Sequence, residues 1–267
     1  MNKRVPLLFL LLLSLFCLVI SCSPQESNTL DPISGETMDA TVPAVPSNGA
    51  GRYSDKASPH NTTICIDPGH GFDDPGCSSH ILQNQTEKEL TLLYANLVKN
   101  KLEQLGYTVV LTHDGNSFPQ EFNENDNNRY SPEERTAYAN SLDIDYYLSL
   151  HCDSFNDDYS VGGTRIYYCE SSVKKQLYSA NVANAIQERL NLAFPDDKEV
   201  TVHNMDVSES YYVLRETYAA ASLIEVGFIT NDADVKKLTD ADWQKTFSVA
   251  VAEGIDDYFS SVAEGAS

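Results

Sequence analysis

The stretch ICIDPGHGFDDPG, residues 64–76, contains the transition that decides the fold. An apolar run at 64–66, typical of a buried strand, stops at the Asp-Pro-Gly sequence of 67–69, and His70 follows directly. Proline and glycine favour a tight turn, so the stretch predicts a strand that ends by presenting a histidine on a glycine-rich loop. Such a histidine is either an ordinary turn residue or a metal ligand, and the rest of the chain distinguishes the two.

Strand-like and helix-like segments alternate along the chain after this loop. The strand-like runs are almost continuously apolar, which is typical of a parallel sheet covered on both faces. The predicted fold class is therefore α/β, a mostly parallel twisted sheet flanked by helices in a single domain. We expect strands at 63–66, 107–112, 145–151, 163–169 and 221–229, and helices near 90–105, 131–139, 172–192 and 243–258.

The N-terminal segment has a different character from the domain. Two basic residues precede the unbroken apolar run 5–20, which is the pattern of a secretory signal. The run ends at Val-Ile-Ser-Cys, which resembles a bacterial lipobox and predicts lipid attachment at Cys22, hence a tether to the membrane; an uncleaved anchor and an ordinary signal peptide are the alternatives. All three place the domain outside the cytoplasm. The predicted organisation is a lipoprotein-type signal at 1–22, a flexible polar linker at 23–60, the folded domain at 61–260 and a tail at 261–267.

Charge and cysteine content narrow the function. The net charge of −21 among 267 residues argues against a nucleic-acid partner, and we expect a monomer.

The domain contains no C-x-x-C pair, which argues against a structural zinc ribbon. Disulfides are permitted outside the cytoplasm, and the pairing is left open among four cysteines: Cys65, Cys77, Cys152 and Cys169.

Two histidines and one glutamate are expected at the same edge of the sheet. His70 follows the first strand and His151 ends the third, and sites in open α/β sheets form beyond the carboxyl ends of the strands. Glu87 begins a helix and lies on the same face as Leu90 and Tyr94, so it points towards the sheet, where an unpaired charge is costly to bury. The alternative explanation for Glu87 is a favourable interaction with the helix dipole.

Glu225 is a further anomaly, because it lies inside the apolar strand SLIEVGF at 222–228. A buried carboxylate needs a partner. One interpretation is a structural salt bridge with an arginine (Arg135, Arg165 or Arg215 are the candidates). The other is a general base beside a metal-bound water.

Two histidines, a glutamate and an open position for water form a known catalytic zinc arrangement. Zinc activates the water and polarises a carbonyl, and a second glutamate then moves the proton to the leaving amine. On this interpretation, His70, Glu87 and His151 bind one Zn²⁺ ion, and Glu225 has the acid/base role.

With these residues in place, the chain resembles the zinc-dependent N-acetylmuramoyl-L-alanine amidase family over residues 62–259. The resemblance implies a peptidoglycan hydrolase that cleaves the amide between the muramic acid lactyl group and L-alanine. It also implies the same ligands, His70, Glu87 and His151, and the same catalytic residue, Glu225. The motifs that carry it are IDPGHG (66–71), TEKELTLLYANLVKNKLEQLGYTVVLT (86–112), RTAYANSLDIDYYLSLHCDS (135–154), GGTRIYY (162–168), YYVLRET (211–217) and SLIEVGFITNDADVKKL (222–238).

The chain departs from the family pattern at several points. His113 stands where the family usually has arginine, Cys152 where it often has alanine, and the polar loop 115–130 is longer than usual. We expect the polar segment to border the site as a surface loop. Asp67 and Arg215 are the candidates for residues that support the ligands.

Two other functions remain open. A non-catalytic wall-binding module would retain the fold but has no need of Glu225. A zinc peptidase or deacetylase would retain the metal and cleave a different bond.

Overall fold

The computed structural model describes residues 61–82, 85–122, 128–169, 173–195 and 200–265. The predicted signal at 1–22, with Cys22, and the linker at 23–60 lie outside the described residues. Within the described part, none of the helices combines the length and the apolar character that crossing a membrane requires.

The described elements follow the predicted alternation. The strands are β1 (Thr63–Pro68), β2 (Thr108–Leu111), β3 (Tyr146–Asp153), β4 (Arg165–Cys169), β5 (Thr201–Met205) and β6 (Ala220–Phe228). The helices are α1 (Glu87–Gln104), α2 (Pro132–Ser141), α3 (Val173–Ala193), α4 (Tyr212–Glu216), α5 (Asp232–Leu238) and α6 (Ala241–Gly265), and a 3₁₀ turn spans Gln120–Phe122. Helix α6 continues to Gly265, past the predicted domain boundary at 260.

The strands form one sheet in the order β2-β1-β3-β6-β4-β5. Pairs β1/β2, β1/β3, β3/β6 and β4/β5 are parallel, and β4 runs antiparallel to β6. The predicted α/β fold with a mostly parallel sheet is confirmed. The β5 strand was not predicted, because it is an exposed edge strand whose residues, TVHNM, form no apolar run.

Helices cover both faces of the sheet. Helices α1, α3 and α6 pack on one face over the larger core, which includes Tyr94, Ile186 and Phe247. A smaller cluster that includes Tyr147 and Leu214 lies on the other face beside α2 and α4. The residues at the carboxyl ends of β3 and β6 on this second face build the candidate site.

Local sequence determines where the helices begin. The Ser131 hydroxyl accepts a hydrogen bond from the Glu134 N–H at 3.2 Å, and the Glu134 carboxylate accepts one from the Ser131 N–H at 2.7 Å. This reciprocal cap confirms the predicted start of α2. At α1, the Glu89 carboxylate accepts from the Thr86 N–H at 2.7 Å.

Candidate metal centre

The loop after β1 holds His70 in an unusual backbone conformation. His70 and Phe72 have φ angles of 62° and 56°, in the left-handed region that side chains other than glycine rarely adopt. Arg135 holds this loop by donating to the backbone carbonyl oxygens of Pro68, at 2.7 Å, and of His70. Its Nε donates to the Tyr130 carbonyl at 2.8 Å. The guanidinium therefore ties the loop to the chain segment that precedes α2.

Asp67 anchors that guanidinium beneath the loop. Its carboxylate accepts from Arg135 at 2.8 Å, from the Thr112 hydroxyl at 2.6 Å and from the Ser149 hydroxyl at 2.9 Å. Burial raises the pKa of Asp67, but Arg135 and Thr112 outweigh it and lower the pKa to about 2. Asp67 thus contacts the His70 loop through Arg135, and its role as a support for the ligands stays a prediction.

The His70 imidazole is oriented by an acid that sequence reasoning missed. Its Nδ1 lies 2.8 Å from Asp74 Oδ2, and a pair of backbone hydrogen bonds at 2.9 Å between Gly71 and Asp74 closes the loop. Burial lowers the pKa of His70, but the hydrogen bonds to Asp74 and Glu87 raise it to about 9. The signal available in the sequence was an aspartate four residues after the histidine, on a turn.

Glu87 projects from the first turn of α1 into the protein and is only 1% exposed. Its Oε2 accepts from the Cys77 N–H at 2.6 Å, and its Oε1 accepts from the Cys152 N–H at 3.0 Å. Burial raises the pKa of Glu87, but His151 and His70 lower it well below its ordinary value. The carboxylate is therefore a fixed negative charge at the sheet edge.

The three predicted ligands converge at this carboxylate. Glu87 Oε1 lies 3.1 Å from His70 Nε2 and 3.2 Å from His151 Nδ1, and one ligand atom from each residue lies within 4.8 Å of the others. A Cβ at Gly69 would overlap the His151 imidazole, so glycine is required there. Two imidazole nitrogens and a carboxylate oxygen suit a divalent transition metal, and the orientation of His70 by Asp74 is the support that metal-bound histidines require. The residues present fit a metal ion.

Glu225 lies beside this group on the neighbouring strand, with its Cα paired in register with that of His151. It is 6% exposed, and among the described residues its Oε2 has no hydrogen-bond partner. Burial, with the charges of Asp153 and Glu87, raises the pKa of Glu225 well above its ordinary value. An isolated acid of this kind is typical of a proton-transfer group.

The arginines considered as structural partners of Glu225 form their hydrogen bonds elsewhere. Arg135 bonds Asp67 at 2.8 Å, and Arg165 NH1 lies 3.4 Å from Asp153 Oδ2. Arg215 donates to the Ser210 carbonyl at 2.8 Å and pairs with Glu216 at 2.9 Å. The support role assigned to Arg215 also stays a prediction.

His113, the domain cysteines and the polar segment lie outside the group formed by His70, Glu87 and His151. His113 is buried, and its Nε2 lies 2.8 Å from the Pro68 carbonyl oxygen, outside the ligand group. The four domain cysteines are free, with Cys77 exposed and the other three buried. Part of the polar segment does border the loop, because Phe118 contacts Phe72 with ring centroids 4.6 Å apart.

Fold and site together define an α/β domain of the metal-dependent hydrolase type. A family model described as N-acetylmuramoyl-L-alanine amidase matches residues 64–257. The chain belongs to this family.

Individual relatives agree with the family match. The chain is 32% identical over 199 residues to the N-acetylmuramoyl-L-alanine amidase LytC of Bacillus subtilis, a match covering 74% of this chain and 35% of LytC. It is 29% identical over 198 residues to the probable cell wall amidase LytH of Staphylococcus saprophyticus, covering 74% and 58%. The chain thus spans about a third to three fifths of the length of these curated relatives.

Solved structures share the architecture. The amidase AmiC2 of Nostoc punctiforme matches with a TM-score of 0.62 and 25% identity over 74% of this chain and 97% of that one. The catalytic domain of the amidase CwlV from Paenibacillus polymyxa matches with a TM-score of 0.60 and 26% identity over 74% and 98%. The described domain therefore corresponds to nearly the full length of these structures.

Proposed function

We propose that the protein is a zinc-dependent N-acetylmuramoyl-L-alanine amidase. It hydrolyses the amide between the lactyl group of N-acetylmuramic acid and L-alanine of the peptidoglycan stem peptide. The observation that carries the proposal is the convergence of His70, Glu87 and His151 within 4.8 Å, next to the buried Glu225, whose Oε2 has no hydrogen-bond partner among the described residues. A binding module would gain nothing from burying such an acid, which costs stability.

One Zn²⁺ ion held by His70, Glu87 and His151 would supply a Lewis acid that polarises the scissile carbonyl and acidifies water. The Cys77 and Cys152 N–H groups fix the carboxylate of Glu87 through its two oxygens. These bonds restrict Glu87 to one orientation before metal or substrate arrives.

Glu225 performs the proton transfer. Its Oε2 takes the proton of the attacking water and delivers it to the alanine nitrogen as the amide breaks. The low-polarity surroundings that raise its pKa stabilise the protonated form between these two steps. Glu225 therefore needs no other partner in the resting protein.

We further propose that the domain acts outside the cytoplasm as a monomer tethered by lipid at Cys22. The lipobox-like sequence and the polar linker 23–60 support this placement, as does the cell wall role printed for the LytH relative. Expression of the full chain in a bacterium with lipoprotein processing should give a lipid-modified Cys22 by mass spectrometry. A mature N-terminus elsewhere, without lipid, would refute the tether.

Mass spectrometry of peptidoglycan digested with the purified domain tests the bond. The proposal predicts intact stem peptides with free alanine amines, together with glycan strands that carry free lactyl carboxylates. Shortened peptides would indicate a peptidase, freed glucosamine amines a deacetylase, and no release at all a binding module.

A further inference from the structure

The chemistry-bearing side chains lie in a defined order across the carboxyl edge of the sheet. His70 follows β1, His151 lies on β3, Glu225 on β6 and Arg165 on β4, and these strands are adjacent in that order. Glu225 is paired in register with His151 on one side and with Arg165 on the other. Side chains paired in register lie on the same face of a sheet. The Cα of Arg165 therefore lies on the side of Glu225 away from His151, and its guanidinium reaches back across β6 to Asp153 of β3.

Arg165 is held in place but is not enclosed. Its NH1 lies 3.4 Å from Asp153 Oδ2, and its guanidinium lies 4.5 Å from the centroid of the Phe228 ring. The side chain is 32% exposed, whereas that of Arg135 is only 5% exposed and bonded on all three nitrogens. A guanidinium held by Asp153, Tyr167 and the Phe228 ring, yet still partly exposed, can offer its remaining donors to a carboxylate.

Aromatic side chains extend this surface. Tyr167 lies on the same face of β4 as Arg165 and contacts Tyr211 edge-on, with ring centroids 5.5 Å apart. The His203 ring of β5 also stacks on Tyr167, with ring centroids 5.1 Å apart. These three rings form a wall beside Arg165, and Tyr211 is 37% exposed.

The direction of the substrate follows from the role of Glu225. If Glu225 protonates the leaving nitrogen, the peptide continues from that nitrogen across β6 towards β4, away from the metal ligands. The residue after alanine lies one step further along, roughly 3.5 Å away in an extended chain. This peptide residue therefore lies at the same part of the sheet edge as Arg165.

We propose that Arg165, beside the aromatic wall of Tyr167 and Tyr211, binds a free carboxylate on the stem-peptide residue that follows alanine. The site would then select stems in which this carboxylate is free over stems in which it is amidated. This inference rests on the proposed amidase function and adds to it the chemical group that the peptide side of the site recognises.

The test compares two muropeptides that differ only in this group, a carboxylate in one and a carboxamide in the other. The zinc-loaded domain should show a kcat/KM about tenfold higher for the carboxylate form, the effect of one charge-assisted contact at a partly exposed site. In Arg165→Gln the ratio should fall to about one, and in Arg165→Lys to an intermediate value. Arg189→Gln is the matched control, since Arg189 pairs with Asp257 on the helical layer, and it should keep the wild-type ratio.

The outcomes separate this inference from the amidase proposal. No hydrolysis of either muropeptide by the wild type would defeat the amidase proposal and this inference with it. Equal rates of the wild type on the two muropeptides would overturn only the Arg165 subsite. This comparison uses the wild type alone and does not depend on the folding of a variant. An equal loss on both substrates in Arg165→Gln would also overturn it, because a purely structural arginine has that effect.

Discussion

Replacing Arg135 with methionine should strongly destabilise the domain and loosen the candidate metal centre. The substitution leaves the Asp67 carboxylate buried without its cation and removes the donors to the Pro68 and His70 carbonyls. Breaking a buried ion pair from one side costs roughly 3–5 kcal/mol. His70 would also lose a contact that holds its left-handed backbone, a conformation that itself costs about 1–3 kcal/mol.

The pH dependence of the stability gives a second estimate of what Arg135 contributes. Arg135 and the hydroxyl donors lower the pKa of Asp67 from 3.8 to about 2, a difference equivalent to about 2 kcal/mol. Because the folded pKa is depressed, this stability is present above the unfolded pKa and is lost as the pH falls from about 4 to about 2. In Arg135→Met the burial of Asp67 is no longer offset, so this acid-side loss should disappear.

Urea unfolding of the metal-free domain measures the loss of stability at pH 7 and its dependence on pH across the acid range. Zinc titration measures how far the candidate metal centre is loosened. Arg189→Met is the matched control, because its exposed ion pair with Asp257 is worth about 1 kcal/mol or less. A loss of stability in Arg135→Met no larger than in the control, with unchanged zinc affinity, would show that Arg135 does not hold the His70 loop.

Three further substitutions test the candidate metal centre and the buried acid beside it. Gly69→Ala places a methyl group against the His151 imidazole, and zinc affinity measured by chelator competition should fall at least tenfold; an unchanged affinity would contradict the packing. Asp74→Asn should lower the pKa of His70 from about 9 towards its ordinary value in an NMR titration, with a 10- to 100-fold loss of zinc affinity; a His70 titration like the wild type would argue against the contact. Glu225→Gln should stabilise the metal-free domain at pH 7 and leave it unchanged near pH 4, because a raised folded pKa costs stability only above the ordinary pKa. Equal melting temperatures for the two proteins at both pH values would contradict the buried acid.

Much of the sheet was predictable because its central strands are apolar throughout. Strands β1, β3 and β6 are buried on both faces and therefore form continuous apolar runs that sequence alone identifies. Strand β5 was not predictable in this way, since this edge strand has no buried residue and therefore no apolar run. The antiparallel direction of β4 was also hidden, because pairing direction depends on the path of the connections and not on the residues of the strand.

The convergence of His70, Glu87, His151 and Glu225 was predictable for a related reason. His70 and His151 lie at the carboxyl ends of strands that must meet in a parallel sheet. Glu87 and Glu225 are acids at positions where the apolar pattern predicts burial, which is costly for an unpaired charge. The supporting contacts were not, because Arg135 is 65 residues from the loop carbonyl it binds. Such long-range hydrogen bonds leave no periodic signal in the sequence.

The central claim is that three residues hold zinc while Glu225 transfers the proton. The most direct measurement is bound zinc, determined together with hydrolysis of purified peptidoglycan, for the wild type and Glu225→Gln. We expect one zinc ion per chain in both proteins and hydrolysis by the wild type alone. Near wild-type hydrolysis by Glu225→Gln, or a wild type that hydrolyses peptidoglycan without zinc, would contradict it.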